Sequence, residues 1–213
     1  MEIILNHVSK TIQGAHVLND VNLELKGPAV YGLFGANGSG KTMLMRIISG
    51  LMKPTGGSVT IDGKRLGRDM DFPESMGFLI ENPNFLNRYT GYKNLELIAD
   101  LRGAAGSEDI RLALSRVGLD PDDKRRYKKY SLGMKQRLGI AAAIMEKPEL
   151  ILLDEPTNAL DEAAVGMLAE IIRAERDRGA LIVTACHDRE FLESIADEIF
   201  AVRSGYVIEG ETQ

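Results

Sequence analysis

The sequence predicts an α/β fold with a mixed sheet core, an antiparallel β portion and a helical insertion. Short strand-like runs lie within residues 1–34, and the run at 21–25 alternates apolar and polar side chains, which is typical of a β-strand. The uninterrupted apolar run at 150–153 is instead typical of a parallel strand covered on both faces. Between about 82 and 129 the pattern is helical and contains no convincing strand.

The bulk composition excludes several classes of protein. The chain has 213 residues and a formal net charge of −5, so we expect one large domain or a domain with a sub-domain, and no nucleic-acid partner. The single cysteine, Cys186, suits a reducing cytosol. No apolar run approaches the roughly 20 residues of a membrane-spanning helix, and residues 1–4 lack the layout of a signal peptide. We therefore expect a cytoplasmic protein, with any membrane role supplied through a partner.

The first third of the chain predicts four strands separated by turns. Gly27-Pro28 is a turn signal, and Asp62-Gly63 is a strong hairpin signal. These signals place antiparallel strands beside the first strand of a parallel core. The strand-like runs lie at 3–8, 21–25, 29–34 and 58–61.

A phosphate-binding pattern, G-x-x-x-x-G-K-T, follows the strand at 29–34. Its glycines allow a tight turn whose N–H groups point at phosphate oxygens. Lys41 would reach the β- and γ-phosphates, and the Thr42 hydroxyl would bind Mg²⁺. A glycine-rich turn with a chance lysine is the alternative, but a strand before the loop and a helix at 43–49 after it favour an anion site. The loop consists of Gly35, Ala36, Asn37, Gly38, Ser39, Gly40, Lys41 and Thr42.

The middle of the chain changes from strand to helix. A strand-like run at 76–80 ends at Glu81. Thr90 is placed to cap a helix running to Leu101, and Ser107 to cap a second helix that Gly118 stops. These two helices form the predicted insertion of roughly fifty residues.

The last third alternates helices with apolar strands. Ser131 is placed to cap an alanine-rich helix that runs to Met145, and Asp161 to cap a long helix that Gly179 ends. Such alternation predicts a parallel sheet. The closing elements are a strand at 181–184, a short helix to Ala196, a strand at 199–202 and a hairpin at Ser204-Gly205.

Two carboxylates, Asp154 and Glu155, stand at the end of the apolar strand at 150–153. Beside a phosphate loop they complete a site for nucleotide hydrolysis. Asp154 would hold the water shell of Mg²⁺, and Glu155 would polarise a water attacking the γ-phosphate. The alternative is that the two acids only cap the end of a strand.

The motifs together resemble those of the ATP-binding cassette (ABC) ATPases, in that family's order and over nearly the whole chain. Residues 35–42 match the phosphate loop, and 150–155 match the second nucleotide motif. Residues 130–134, Tyr-Ser-Leu-Gly-Met, match the signature, which other phosphate-loop families lack. Residues 159–161 match the loop that follows, and His187 matches the switch histidine.

The resemblance implies a P-loop NTPase of ABC type that binds ATP and Mg²⁺ and hydrolyses ATP. It implies one nucleotide-binding domain over 1–213, with a core lobe at 1–81 and 130–213 and a helical subdomain at about 82–129. In this family two cassettes dimerise head to tail and drive a polytopic permease. We therefore expect a second cassette, identical or different, and a location on the inner face of the cell membrane.

The resemblance also assigns roles to single residues. Met43, which directly follows the phosphate loop, and Asp161 are both assigned to nucleotide binding. His187 would contact the γ-phosphate, although a histidine after a strand is often only structural. In the signature, Ser131, Gly133 and Met134 would close on ATP held by the other chain. Ser131 would equally be an ordinary helix cap.

Three positions depart from the family pattern. Ile12 stands where the family carries an aromatic residue on adenine, so the grip on the base should be apolar and less selective. Glu81 replaces a glutamine ligand; a carboxylate keeps an oxygen for Mg²⁺ but loses the amide donor. The signature carries Leu132 and Met134 in place of glycine and glutamine.

Residues 80–83 and the signature resemble one branch of the family, the ATPase subunits of exporters for bacitracin- and lantibiotic-type peptide antibiotics and related drugs. Two other functions stay open: a soluble cassette without a permease, and a small-molecule kinase.

Two surface features each allow two interpretations. An aromatic cluster after Glu81 would dock a membrane partner or pack its own subdomain. The basic run at 124–129 would be a solvated face, or lie near headgroups or nucleotide.

Overall fold

The computed structural model describes residues 1–81 and 83–209. In chain order the elements are β1 (Glu2–Ile12), β2 (Ala15–Lys26), β3 (Ala29–Phe34), α1 (Lys41–Ile48), β4 (Gly56–Ile61), β5 (Lys64–Arg65), β6 (Met76–Leu79), α2 (Gly91–Arg102), α3 (Ser107–Arg116), α4 (Leu132–Ile144), β7 (Leu150–Asp154), α5 (Glu162–Arg178), β8 (Leu181–Cys186), α6 (Arg189–Ile195), β9 (Glu198–Arg203) and β10 (Tyr206–Glu209).

A six-stranded sheet, in the order β10-β9-β3-β8-β7-β6, forms the centre of the molecule. All neighbouring pairs are parallel except β10 with β9. Every residue of β7 and β8 is buried, because helices or the second sheet cover both faces. The unalternating apolar runs of the sequence therefore mark the central strands, as predicted.

A four-stranded antiparallel sheet, in the order β2-β1-β4-β5, packs beside the first one. The predicted hairpin at Asp62-Gly63 joins β4 to β5, and both residues have positive φ (47° and 77°). The hairpin at Ser204-Gly205, with φ of 49° and 82°, joins β9 to β10. Both turns take the left-handed conformation that their residue types favour.

The central sheet divides the apolar interior into two clusters. Alternate residues of β7 point to opposite clusters: Leu150 and Leu152 pack with α1 and the antiparallel sheet, whereas Ile151 and Leu153 pack with the helices of the other face. The side-chain period of two in a strand produces this division. Among the described residues no helix is long and apolar enough to cross a membrane.

Most predicted helix caps are present, and one is wrong. Thr90, Ser131 and Asp161 each accept a hydrogen bond from the backbone N–H three residues on. Ser107 does not cap α3, because it is the first helical residue and Gly106 precedes it as the cap. The Asp109 carboxylate accepts the Gly106 N–H at 3.0 Å, so the backbone donor of the cap residue is satisfied from inside the helix.

The aromatic cluster after Glu81 is divided between core and surface. Phe85 and Tyr92 are half-buried and pack against the helical cluster, and the Phe85 ring meets Tyr127 edge-on with centroids 5.5 Å apart. Leu86 is 51% exposed. The rings are therefore largely part of the subdomain's own packing, and of these residues Leu86 is the exposed one.

Candidate functional site

The predicted phosphate-binding loop connects β3 to α1 and packs closely against β9. Gly40 is the residue before α1 and has a φ of 115°, which a residue with a Cβ rarely adopts. A Cβ on Gly35 would lie 2.3 Å from the carbonyl oxygen of Val202. The first glycine is therefore required by close packing on β9, and the last by backbone conformation.

Lys41 is the first residue of α1, and its side chain is buried under the loop. The ammonium donates to the carbonyl oxygens of Gly35 at 2.5 Å and Ala36 at 3.3 Å. It also lies 3.4 Å from Glu155 Oε1. The partners of the Lys41 ammonium are therefore two loop carbonyls and one carboxylate, all at the place where the predicted site would hold phosphate.

Thr42 and Asp154 are joined across the gap between α1 and the end of β7. The Thr42 hydroxyl donates to Asp154 Oδ2 at 2.7 Å. Burial raises the pKa of the Asp154 carboxyl, the Thr42 hydrogen bond acts in the opposite direction, and the Glu155 charge raises it further. A buried carboxylate is costly unless compensated, so this position suits a cation.

Unsatisfied polar atoms at the loop fit a bound Mg²⁺ and nucleotide. Asp154 Oδ1 and the Ser39 hydroxyl are buried and have no hydrogen-bond partner. Carboxylate and hydroxyl oxygens are the ligands that Mg²⁺ prefers. Thr42, Asp154, Glu155, Glu81, Asn158 and Gln136 line a cleft of about 440 Å³. The residues present therefore fit the metal and the phosphates.

Glu155 is fixed in an unusual backbone conformation directly after β7. Its φ is 47°, and its N–H donates to the Ala185 carbonyl at 2.7 Å. The carboxylate points into the cleft, where Oε2 meets His187 Nδ1 at 2.7 Å and Oε1 faces Lys41. A strained non-glycine residue that carries a charge into a cleft is typical of functional sites.

Gln136 is a site residue that the sequence reasoning missed. It is buried on the first turns of α4, and its amide donates to the carbonyl oxygens of Glu155 at 3.2 Å and Pro156 at 3.1 Å. It thereby ties the helix after Ser131 to the backbone of the proposed catalytic glutamate. A glutamine one turn beyond a helix cap was the available signal, but helix surfaces carry many such residues.

Glu81 follows β6 at the edge of the cleft, with a φ of 61°. Its backbone acts to lower the pKa of the Asp154 carboxyl and therefore lies near that group, whereas its exposed side chain pairs with Arg46 at 2.5 Å. The backbone of Glu81 therefore lies near Asp154, where Mg²⁺ is expected, whereas its carboxylate faces α1.

The remaining predicted residues divide by position. Met43 lies with residues 36–42 in the lining of the loop's own cleft. Ile12 is not in that lining; it ends β1 and is 36% exposed, whereas Val17 of β2 does line the cleft. Asp161 is exposed and caps α5 through the Ala164 N–H.

The signature residues lie at the exposed start of α4. Ser131 is exposed, and its hydroxyl accepts the Met134 N–H at 3.2 Å. A Cβ on Gly133 would lie 2.8 Å from the carbonyl oxygen of Ala159, a residue whose own φ is 61°. Gly133 is therefore needed for close contact between α4 and the loop after β7 within one chain.

The fold and the site define a nucleoside triphosphatase of the phosphate-loop class. The chain belongs to the ABC transporter family, whose model matches residues 18–158, and it is an ATPase. These findings confirm the resemblance read from the motifs.

Similar proteins cover most of the chain. The uncharacterized ABC transporter ATP-binding protein YybJ of Bacillus subtilis (strain 168) is 44% identical over 202 residues, 95% of this chain and 92% of its own. The lantibiotic transport ATP-binding protein SrtF of Streptococcus pyogenes is 36% identical over 96% of this chain and 88% of its own. The bacitracin transport ATP-binding protein BcrA of Enterococcus faecalis is 39% identical over 91% of this chain, which spans 63% of that relative.

Solved structures agree with this assignment. The dimeric, post-hydrolysis state of the ATP-binding cassette MJ0796, bound to ADP and Pi, superimposes with a TM-score of 0.88 at 26% identity and covers 99% of each chain. That protein is thus similar in fold from end to end.

Proposed function

We propose that this chain is the ATP-binding and hydrolysing subunit of a membrane exporter of peptide antibiotics or drugs. It would act from the cytoplasmic face of the membrane and drive a separate permease through ATP-dependent dimerisation. The similarity to BcrA and SrtF over more than nine-tenths of the chain supports the transported class.

The placement of Glu155 carries the proposed chemistry. Its carboxylate stands between the Lys41 ammonium and the His187 ring, beside the phosphate loop. Nucleotide phosphates would take Lys41 from the carbonyls of Gly35 and Ala36, because a dianionic phosphate is a stronger partner than a neutral carbonyl. Glu155 would then be free on one side to orient and polarise water.

Thr42, Asp154 and Glu81 would hold Mg²⁺. When bound, the ion neutralises charge on the phosphates. Asp154 supplies the buried, unpartnered oxygen, and Thr42 is already aligned with it by their hydrogen bond. Glu81 would contribute only after leaving Arg46.

A second cassette would complete each site. The start of α4, with Ser131 and Gly133, is an exposed helix N-terminus, and its positive end favours an anion. Head-to-tail pairing would bring this end to the γ-phosphate held by the other chain. His187, 57% exposed at its side chain, would contact the same phosphate from the chain that holds it.

The test uses a bacterial strain from which this chain has been deleted. Complementation with the wild type should raise the minimum inhibitory concentration of bacitracin or of a lantibiotic, whereas Glu155→Gln should not. An antibiotic of unrelated class serves as the control. Purification of tagged wild type from detergent-solubilised membranes should recover a polytopic protein. An active ATPase that changes no resistance and recovers no membrane protein would instead fit a cassette without a permease.

A further inference from the structure

Three metal-ligating side chains of different chemistry meet at the carboxyl ends of β7 and β8. The strands are parallel neighbours, with Asp154 paired to Ala185, so the residues that follow them emerge side by side. A carboxylate oxygen of Glu155, the Cys186 sulfur and a ring nitrogen of His187 all lie within 4.8 Å of one another. Within residues 1–81 and 83–209, no other set of three such groups comes together in this way.

The donor set favours a different cation from that of the Mg²⁺ position. Mg²⁺ demands oxygen ligands, whereas Zn²⁺ accepts thiolate, imidazole and carboxylate. In a tetrahedral zinc site the donor atoms lie roughly 3.3–3.8 Å apart, given bonds of about 2.0–2.3 Å. The three side chains therefore need only small rotations to surround one ion.

Burial raises the pKa of the Cys186 thiol, and two hydrogen-bonding groups beside the sulfur act in the opposite direction. The sulfur is fully buried and accepts the backbone N–H of Asp188 at 3.4 Å. The Thr157 hydroxyl lies 3.4 Å from the same sulfur and is free to donate to it once the thiol proton is lost. Such partners orient a metal-bound sulfur and stabilise its charge.

Access and charge at the site are also compatible with a cation. The His187 side chain is 57% exposed and that of Glu155 is 17% exposed, so an ion would approach from the side of these two residues, with the buried Cys186 behind them. Lys41 faces Glu155 Oε1, which leaves Oε2, on the His187 side, for the ion. The carboxylate of Asp188 adds negative charge nearby while it accepts the Phe191 N–H.

We propose that Glu155, Cys186 and His187 form a site for a thiophilic divalent cation, represented by Zn²⁺, and that its occupation inhibits ATP hydrolysis. Binding would replace the Cys186 thiol proton, which is released to solvent. The ion would hold both the carboxylate proposed to polarise water and the histidine proposed to contact phosphate. The inhibition therefore rests on the proposed function of those two residues, whereas the binding does not.

The binding test uses Co²⁺ as a spectroscopic substitute for zinc on the nucleotide-free protein. Wild type should show the intense near-ultraviolet absorption of cobalt–thiolate ligation, and added Zn²⁺ should remove it. Cys186→Ser, which keeps the size and hydrogen-bonding capacity of the side chain, should lack that absorption. His7→Gln is the matched control, because His7 also contacts a carboxylate (Asp20, 2.7 Å) but is exposed and lacks a thiol in its ion pair.

The inhibition test measures ATPase rates at fixed Mg²⁺ and ATP with buffered free Zn²⁺, each variant normalised to its own metal-free rate. The half-inhibitory Zn²⁺ concentration should rise by at least about tenfold in Cys186→Ser, since even outer-shell partners are worth about 10–100-fold in metal affinity. It should not change in His7→Gln. Equal sensitivity in Cys186→Ser, or no cobalt–thiolate absorption in wild type, would overturn the site. Thiolate ligation without inhibition would overturn the proposed roles of Glu155 and His187 instead.

Discussion

Arg46 Nη2 lies 2.5 Å from Glu81 Oε1, and this ion pair holds the carboxylate of a proposed magnesium ligand against a cation of α1. Arg46 is four residues after Thr42 on α1, so both project from the same face of that helix. The pair is largely exposed and would stabilise the fold by only about 0–1 kcal/mol. Its effect should therefore be on the site rather than on stability.

Arg46→Gln should lower the Mg²⁺ concentration needed for half-maximal ATPase activity, because it releases Glu81 and removes a competing cation. Glu81→Gln should change activity of the isolated cassette little, since an oxygen ligand remains. Titration of Mg²⁺ at saturating ATP measures both, with Arg46→Lys as the control that keeps the charge. If none of these variants shifts the titration, Glu81 is not a metal ligand.

Base selectivity should be weak. An aromatic ring on adenine is worth about 0.5–1.5 kcal/mol, and neither Ile12 nor Val17 supplies one, so GTP should compete with ATP to within roughly tenfold. Ile12→Tyr should tighten ATP binding if Ile12 contacts the base. Because Val17 lines the loop cleft and Ile12 does not, Val17→Tyr is the matched comparison. If ATP binding tightens in Val17→Tyr and not in Ile12→Tyr, the base contacts β2 rather than the end of β1.

Asp154→Asn should stabilise the nucleotide-free protein at neutral pH. Burial raises the pKa of this carboxyl above its unfolded value, so the folded state binds more protons and stability falls as pH rises from about 3.9 through the folded pKa. The variant should melt higher than wild type at pH 7.5 and lose that advantage near pH 4. A change of 1 kcal/mol in the free energy of unfolding shifts the melting temperature by roughly 2–4 °C in a chain of this size.

The same variant should lose the stabilisation that Mg²⁺ and ATP give to wild type, because the proposed ligand charge is gone. Thermal unfolding followed by circular dichroism, with and without Mg²⁺-ATP, measures both effects. Higher stability with full retention of the Mg²⁺-ATP effect would argue against Asp154 as a metal ligand.

Glu155→Gln should lower ATP hydrolysis by about 10²-fold or more while ATP still binds, because the amide keeps the shape but cannot act as a base. Unhydrolysed ATP should then accumulate a two-chain form, measured by light scattering with and without ATP. Adding Ser131→Arg should abolish that form by blocking the exposed start of α4. A monomer at all ATP concentrations, with binding verified, would mean that this cassette pairs with a different chain or not at all.

Local chemistry predicted much of this molecule. The phosphate loop, the caps at Thr90, Ser131 and Asp161, and the hairpins at 62–63 and 204–205 depend on a few adjacent residues. Their types restrict the backbone directly. Ser107 failed as a cap because α3 begins one residue earlier than predicted, and residue preferences locate a helix end only to within one or two residues.

By itself, the sequence determined the α/β class, the central strands and the identity of the residues around the loop, because periodicity and turn chemistry act over a few neighbours. Only the tertiary structure decided how those residues pair. It placed Lys41 and His187 on either side of Glu155, turned Glu81 to Arg46, brought Gln136 to the Glu155 backbone and set Cys186 beside two other ligands. The partners in these contacts are 19 to 114 residues apart in the chain, apart from Cys186 and His187, which are adjacent. Their meeting depends on the order of β3, β8, β7 and β6 in one parallel sheet, which aligns the carboxyl ends of strands from distant parts of the chain.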